Sequence, residues 1–200
     1  MKIIVNQWFV ILSITLIATL GCEPRQSATA TRMAPPAQMK FNIVERDAFT
    51  VMGFVTRVTP AQENADTYEG IWKQFEPYDA NMKPFSIDRR YYGVSFPTEQ
   101  KGVTDYLAGM MVADDAKPFD KQLVVRKVPA ARYAVFQCNI YTIDQTYQYI
   151  FSQWLANSRY EINPASCSFE QYPPKDWENR PVFIHIPVSK KGPPSAQSGK

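Results

Sequence analysis

Apolar and polar residues alternate along most of the chain's middle. From residue 41 to 58 β-branched and aromatic side chains alternate with polar ones. Val51, Gly53 and Val55 fall on one face and Met52, Phe54 and Thr56 on the other, which predicts a strand. Thr59-Pro60 has the form of a helix start, with Thr as N-cap and Pro in the first turn. Tyr68, Ile71, Trp72 and Phe75 then recur at i, i+3, i+4 and i+7, one stripe of a helix that Pro77 closes. Residues 91–96 and 106–113 predict two more strands. The order is then repeated. Residues 123–140 form a strand region broken at Pro129-Ala130-Ala131. Thr142 opens a helix carrying Tyr147, Ile150, Phe151 and Trp154 on one face, and residues 167–172 and 182–188 close as strands. In the last strand Ile184 and Ile186 share one face, and Phe183 and His185 the other.

The predicted class is therefore α+β: two strand-helix-strand-strand units whose sheets join into one antiparallel sheet. Each half alone is too small to bury its own apolar face. Pairing them puts two helices on one face and leaves the other for a ligand cleft.

The ends read differently. Lys2, an apolar stretch from residue 8 to 20, and Gly21-Cys22 have the order of a secretory signal. The apolar stretch is short for a membrane-spanning helix, which needs about 20 residues. Thr19-Leu20-Gly21-Cys22 resembles the lipobox of bacterial lipoproteins, which implies a lipid on Cys22 after cleavage. An uncleaved N-terminal anchor is the alternative. Either way the expected location is the cell envelope, with the domain outside the cytoplasm and tied to a membrane. The expected organisation is a signal over residues 1–21, a tether over 22–39, one domain over 40–188, and a loose Gly/Pro/Ser/Lys-rich tail over 189–200.

Composition narrows the chemistry. The net charge of +3 comes without a basic stripe, so no nucleic-acid partner is expected. One His and three Cys make a multi-ligand zinc site unattractive, and no metal or other cofactor is expected. Four Trp, 11 Tyr and 12 Phe are a rich aromatic complement that suits a substantial core or a ring-lined pocket, with core packing the reading for most of the rings.

Several segments carry a family likeness. They are Val128-Pro-Ala-Ala-Arg-Tyr-Ala-Val-Phe136, Thr146-Tyr-Gln-Tyr-Ile-Phe-Ser-Gln-Trp-Leu155, Phe169-Glu-Gln-Tyr-Pro-Pro174 and Ile184-His-Ile-Pro-Val188, with Tyr92-Gly93-Val94 and Asp105-Tyr106-Leu-Ala-Gly109 in the first half. Together they resemble the gyrase-inhibitor-like (GyrI-like) small-molecule-binding domain, the effector-binding domain of multidrug-sensing transcription activators. The resemblance implies a ligand cleft between the repeats and a key acidic residue at Glu170.

On a strand, Glu170 leaves on the face opposite Phe169. With Phe169 under the helices, Glu170 faces the open side. A carboxylate among rings suits a planar or amphipathic organic cation, through charge and cation–π attraction of about 0.5–2 kcal/mol per ring. The other candidate ligand contacts are Trp154, Tyr106, Tyr91, Tyr172 and Phe183. Core packing is the alternative for Trp154, and a surface position the alternative for Glu170. His185 could pair with Glu170 if their strands adjoin. Cys138 and Cys167 suit either a disulfide or two buried thiols. The expected function is membrane-anchored binding of a small hydrophobic or cationic ligand. The resemblance also leaves open a hydrolase of strained aromatic natural products with Glu170 as base, and an envelope protein-interaction module is the third reading. The protein partners and the ligand's identity are not legible.

Overall fold

The computed structural model describes residues 39–176 and 178–192. The signal, Cys22 and most of the tether lie outside the described residues.

The strand region from 41 to 58 is two strands, β1 (Phe41–Arg46) and β2 (Phe49–Val58), separated at Asp47-Ala48. Thr59-Pro60 does not start the helix. Thr59 accepts the backbone N–H of Gln62 to close a turn. Helix α1 (Ala65–Phe75) begins later, where the Asn64 side chain accepts the backbone N–H of Thr67 at 3.0 Å. Ile71, Trp72 and Phe75 are buried as their spacing predicts. Pro77 lies in a 3-10 turn, Glu76–Tyr78, and a short helix α2 (Asp79–Met82) and a second 3-10 turn, Lys83–Phe85, lead into β3 (Ser86–Pro97). Strands β4 (Thr104–Val112), β5 (Val124–Val128) and β6 (Ala131–Cys138) follow.

The second helix is compound. A 3-10 turn, Ile140–Thr142, is closed by a capping box between Asn139 and Thr142. Helix α3 (Ile143–Tyr149) continues through a π-helical stretch, Ile150–Trp154, into α4 (Leu155–Asn157). The wider π turn breaks the 3.6-residue stripe. Ile150 and Trp154 are buried, but Phe151 is 49% exposed rather than sharing their face. Strand β7 (Tyr160–Ile162) was not signalled by the pattern. Strands β8 (Ser168–Tyr172) and β9 (Val182–Lys190) complete the chain. Strand β9 therefore runs two residues into the stretch expected to be a loose tail, and the Lys191 backbone N–H is held by the Arg159 carbonyl.

All strand pairs are antiparallel, in the order β1-β6-β9-β8-β3-β4-β2-β5, with β7 on β9. The two repeats meet at the β3–β8 pair in the middle of the sheet and also exchange strands, β1 lying on β6 and β5 on β2. The alternation of strand side chains divides the core. On the helix side, α1 covers Met52, Phe54, Ala108 and Met110, and the second helix covers Ala134, Phe136, Ile184 and Ile186. On the other side Phe49, Tyr92, Tyr133 and Phe169 pack together without any helix. The Phe49 ring on β2 meets the Phe169 ring on β8 at 5.3 Å, so the sheet curls and fills that face with its own rings.

A carboxylate among tyrosines between the helices

Glu170 is buried, 7% exposed, and lies on the helix-bearing side. This reverses the expected orientation. Phe169 packs into the helix-free cluster, and the alternation of β8 then turns Glu170 between the two helices.

Four tyrosines and a tryptophan gather around the carboxylate. The Tyr147 hydroxyl, from α3, donates to Glu170 Oε1. The Tyr106 hydroxyl, from β4, donates to Oε2 at 3.3 Å. Trp72 of α1 donates its indole N–H to that same Tyr106 oxygen at 3.3 Å. The Tyr172 ring stands edge-on to Trp72 at 5.5 Å, and Tyr68 edge-on to Tyr106 at 4.8 Å. Tyr68 and Tyr147 are only half-buried: Tyr147 reaches from the surface to the carboxylate, and Tyr68 to the ring of Tyr106.

The reach of Tyr106 depends on Gly93. Gly93 pairs with Ala108 on one side and Glu170 on the other. A Cβ there would stand 1.9 Å from the Tyr106 hydroxyl oxygen and 2.5 Å from Glu170 Oε2. The missing side chain is the slot through which Tyr106 crosses β3.

The electrostatics follow from the surroundings. Burial pushes the Glu170 carboxyl up to about 7, and the Tyr147 and Tyr106 hydroxyls pull against that rise. Burial, with the nearby Glu170 charge, raises Tyr106, Tyr147 and Tyr172 well above the usual phenol range. They therefore serve as neutral donors. No Lys, Arg or His pairs with Glu170 among the described residues. The arrangement is a carboxylate supported by neutral hydroxyls and rings, with its charge uncompensated. Such a group attracts a cation brought to it out of water.

Of the expected residues, Glu170, Tyr106 and Tyr172 come together. Tyr91 lies on the same face, but its hydroxyl donates to Asp79 at 2.7 Å and its ring meets Phe75, so it braces the end of α1. Phe183 pairs with Gln171, whereas Ile184 is opposite Glu170, so Phe183 falls on the other face. His185 is opposite Phe169 and stacks on that ring at 4.1 Å, away from Glu170. Burial lowers its imidazole to about 3, which leaves it neutral. Trp154 is buried against Phe136 and Phe41. It lines a separate hollow of about 700 Å³, with Phe41, Tyr149 and Tyr160 among the other walls. Cys138 and Cys167 are free thiols on opposite sides of the sheet, Cys138 towards the helices and Cys167 in the helix-free cluster. That excludes the disulfide, and burial pushes both thiols up to about 12.

In the sequence Tyr147, Tyr68 and Trp72 are only members of helical stripes. The overlooked signal was tyrosine in place of phenylalanine, because a hydroxyl carried under a helix needs a polar partner.

The sequence matches a family described as the integron-associated effector binding protein over residues 42–188. No curated protein matches it. Among solved structures, an integron cassette protein from the mobile metagenome of Vibrio cholerae is 25% identical, with a TM-score of 0.55 over 76% of this chain and 97% of that one. The structure of SAV2435 bound to tetraphenylphosphonium aligns with a TM-score of 0.64 at 16% identity, over 76% and 94% of the two chains. The C-terminal domain of EcmrR gives 0.57 at 13% identity, over 78% and 100%. The last two likenesses are of fold.

Proposed function

Because the chain belongs to the integron-associated effector binding protein family, we propose that its domain is a receptor for aromatic or amphipathic organic cations. Their charge is recognised by Glu170 and their apolar body by the rings of Tyr68, Trp72, Tyr106, Tyr147 and Tyr172. The observation that carries this reading is the pairing of burial with incomplete compensation. Both Glu170 oxygens accept neutral hydroxyls, and no cationic side chain among the described residues balances the charge. An entering cation supplies the missing charge, and the ring faces add attraction. That a protein of the same fold was solved with tetraphenylphosphonium supports the choice of ligand class.

The test is a thermal-shift comparison of tetraphenylphosphonium with triphenylphosphine oxide, a neutral molecule carrying similar rings. The cation raises Tm and the neutral compound leaves it unchanged. Equal shifts would mean that rings alone bind and that Glu170 has no recognition role.

We further propose that Cys22 is lipidated and holds the receptor at a bacterial envelope membrane, with the domain facing outward from the cytoplasm. The apolar stretch before Gly21-Cys22 supports this. Metabolic labelling with a palmitate analogue labels the wild type and not Cys22→Ser. Label retained by Cys22→Ser would refute it.

A further inference from the structure

The tripeptide Lys-Pro-Phe occurs twice, as Lys83-Pro84-Phe85 before β3 and as Lys117-Pro118-Phe119 in the β4–β5 connection. The fold brings the two together. The rings of Phe85 and Phe119 stack at 5.2 Å, inclined by 16°, yet they remain 45% and 40% exposed. Ile87, two residues past Phe85, is 62% exposed. Beneath the pair, Tyr78 lies 6.4 Å from Phe119 and meets the core ring of Phe54 edge-on at 4.9 Å. The pair is thus a backed, outward-standing apolar feature rather than a loop tip in isolation.

Charge surrounds it asymmetrically. Lys83 bonds Asp79 at 2.7 Å. Asp120 turns inward, accepting the Tyr78 hydroxyl at 3.3 Å and the Gln122 backbone N–H at 2.8 Å. Among the described residues Lys117 and Lys121 have no acidic partner, and Asp115 and Asp120 have no basic one; of these four only Asp120 is turned from solvent, held by Tyr78 and Gln122. Exposed rings flanked by free lysines match the chemistry of a lipid interface. There, rings settle at the headgroup level and ammonium groups meet anionic phosphates. A second copy seated on the patch would instead bring Lys117 and Lys121 against their own counterparts.

We infer that the paired Lys-Pro-Phe segments are a docking face for an anionic phospholipid surface. The apolar stretch over residues 8–20 brings the chain to a membrane, and this face sets how the domain lies on it. The inference borrows its setting from the envelope reading but is tested separately from Cys22 lipidation.

The experiment follows amide hydrogen exchange by mass spectrometry in the full chain. The protein is reconstituted in phosphatidylcholine vesicles with and without a quarter of phosphatidylglycerol. Peptides covering residues 83–88 and 117–122 report the face directly, whatever the N-terminal segment does. Exchange there slows about five-fold or more in the anionic vesicles only. Phe85→Ser with Phe119→Ser, and separately Lys117→Glu with Lys121→Glu, abolish the slowing while circular dichroism and Tm stay as in wild type. Unchanged exchange in anionic vesicles overturns the inference. So does slowing that grows with protein concentration in the absence of lipid, which identifies a second copy as the occupant.

Discussion

Gly93 lies directly across the β3–β8 ladder from Glu170, and a methyl group placed on it would fall 2.5 Å from the carboxylate Oε2. The two repeats thus meet at a pair in which one partner carries the site's charge and the other carries no side chain. Tyr106 uses the space so left to reach the carboxylate from two strands away.

Gly93→Ala is therefore expected to remove binding and to destabilise. The new methyl would overlap the Tyr106 phenol and the Glu170 carboxylate, which must shift apart and so break the hydrogen bond between them. Overpacking of this kind costs about 1–3 kcal/mol. Urea denaturation measures the loss, and tetraphenylphosphonium titration of the still-folded protein shows whether the site has closed.

The buried carboxylate also fixes a pH dependence. Glu170 titrates near 7 when folded, against an ordinary value of 4.5. Between those values the folded protein holds a proton that the unfolded chain releases. Stability from this group is therefore full below about 4.5, declines as pH rises through the window, and is flat above about 7. The decline amounts to roughly 3 kcal/mol at most. Without ligand, Glu170→Gln is expected to be at least as stable as wild type at pH 8 and to show a smaller fall between pH 5 and pH 8. Denaturant melts at the two pH values check both the sign and the size.

Tyr147→Phe removes a hydroxyl that stabilises the Glu170 charge and so holds its pKa down. The carboxyl then ionises at higher pH, and cation affinity is gained at higher pH as well. The midpoint of tetraphenylphosphonium affinity against pH, near 7 in wild type, moves upward by about one pH unit. An unmoved midpoint would mean that another group governs binding.

Trp154 separates packing from recognition. It sits among Phe41, Phe136 and Tyr160, over β1 and β6 rather than over β8, which carries Glu170. Trp154→Phe is expected to cost about 1–2 kcal/mol of stability by leaving space around the smaller ring. Cation affinity of the folded protein stays as in wild type. Calorimetry alongside urea denaturation distinguishes the two effects.

Much of this fold is written in short-range pattern. The stripe of Ile71, Trp72 and Phe75, the break at Pro129-Ala130 and the alternation in the last strand each follow from local spacing and survive in the structure. Glu170 also stands out, as an acid in a strand of rings. Which face it takes was not legible. That depends on how the sheet curls, which brings Phe49 onto Phe169 from a strand far away in the sheet order. The roles of Phe183 and His185 fell with that choice, because the register sets them opposite Gln171 and Phe169. Helix α1 starts later than Thr59-Pro60 suggests, because that pair serves a turn as well as a cap and Asn64 caps the helix instead. Tyr147 was hidden by its stripe. Only the tertiary structure shows that its hydroxyl meets a carboxylate.

The most direct test is calorimetric titration of tetraphenylphosphonium into wild type and Glu170→Gln at pH 8, where the carboxylate is charged. The account predicts that affinity falls by at least about ten-fold in the variant, equivalent to about 1.4 kcal/mol, while its fold and Tm are kept. Equal affinity for the two proteins would contradict recognition of the cation by Glu170.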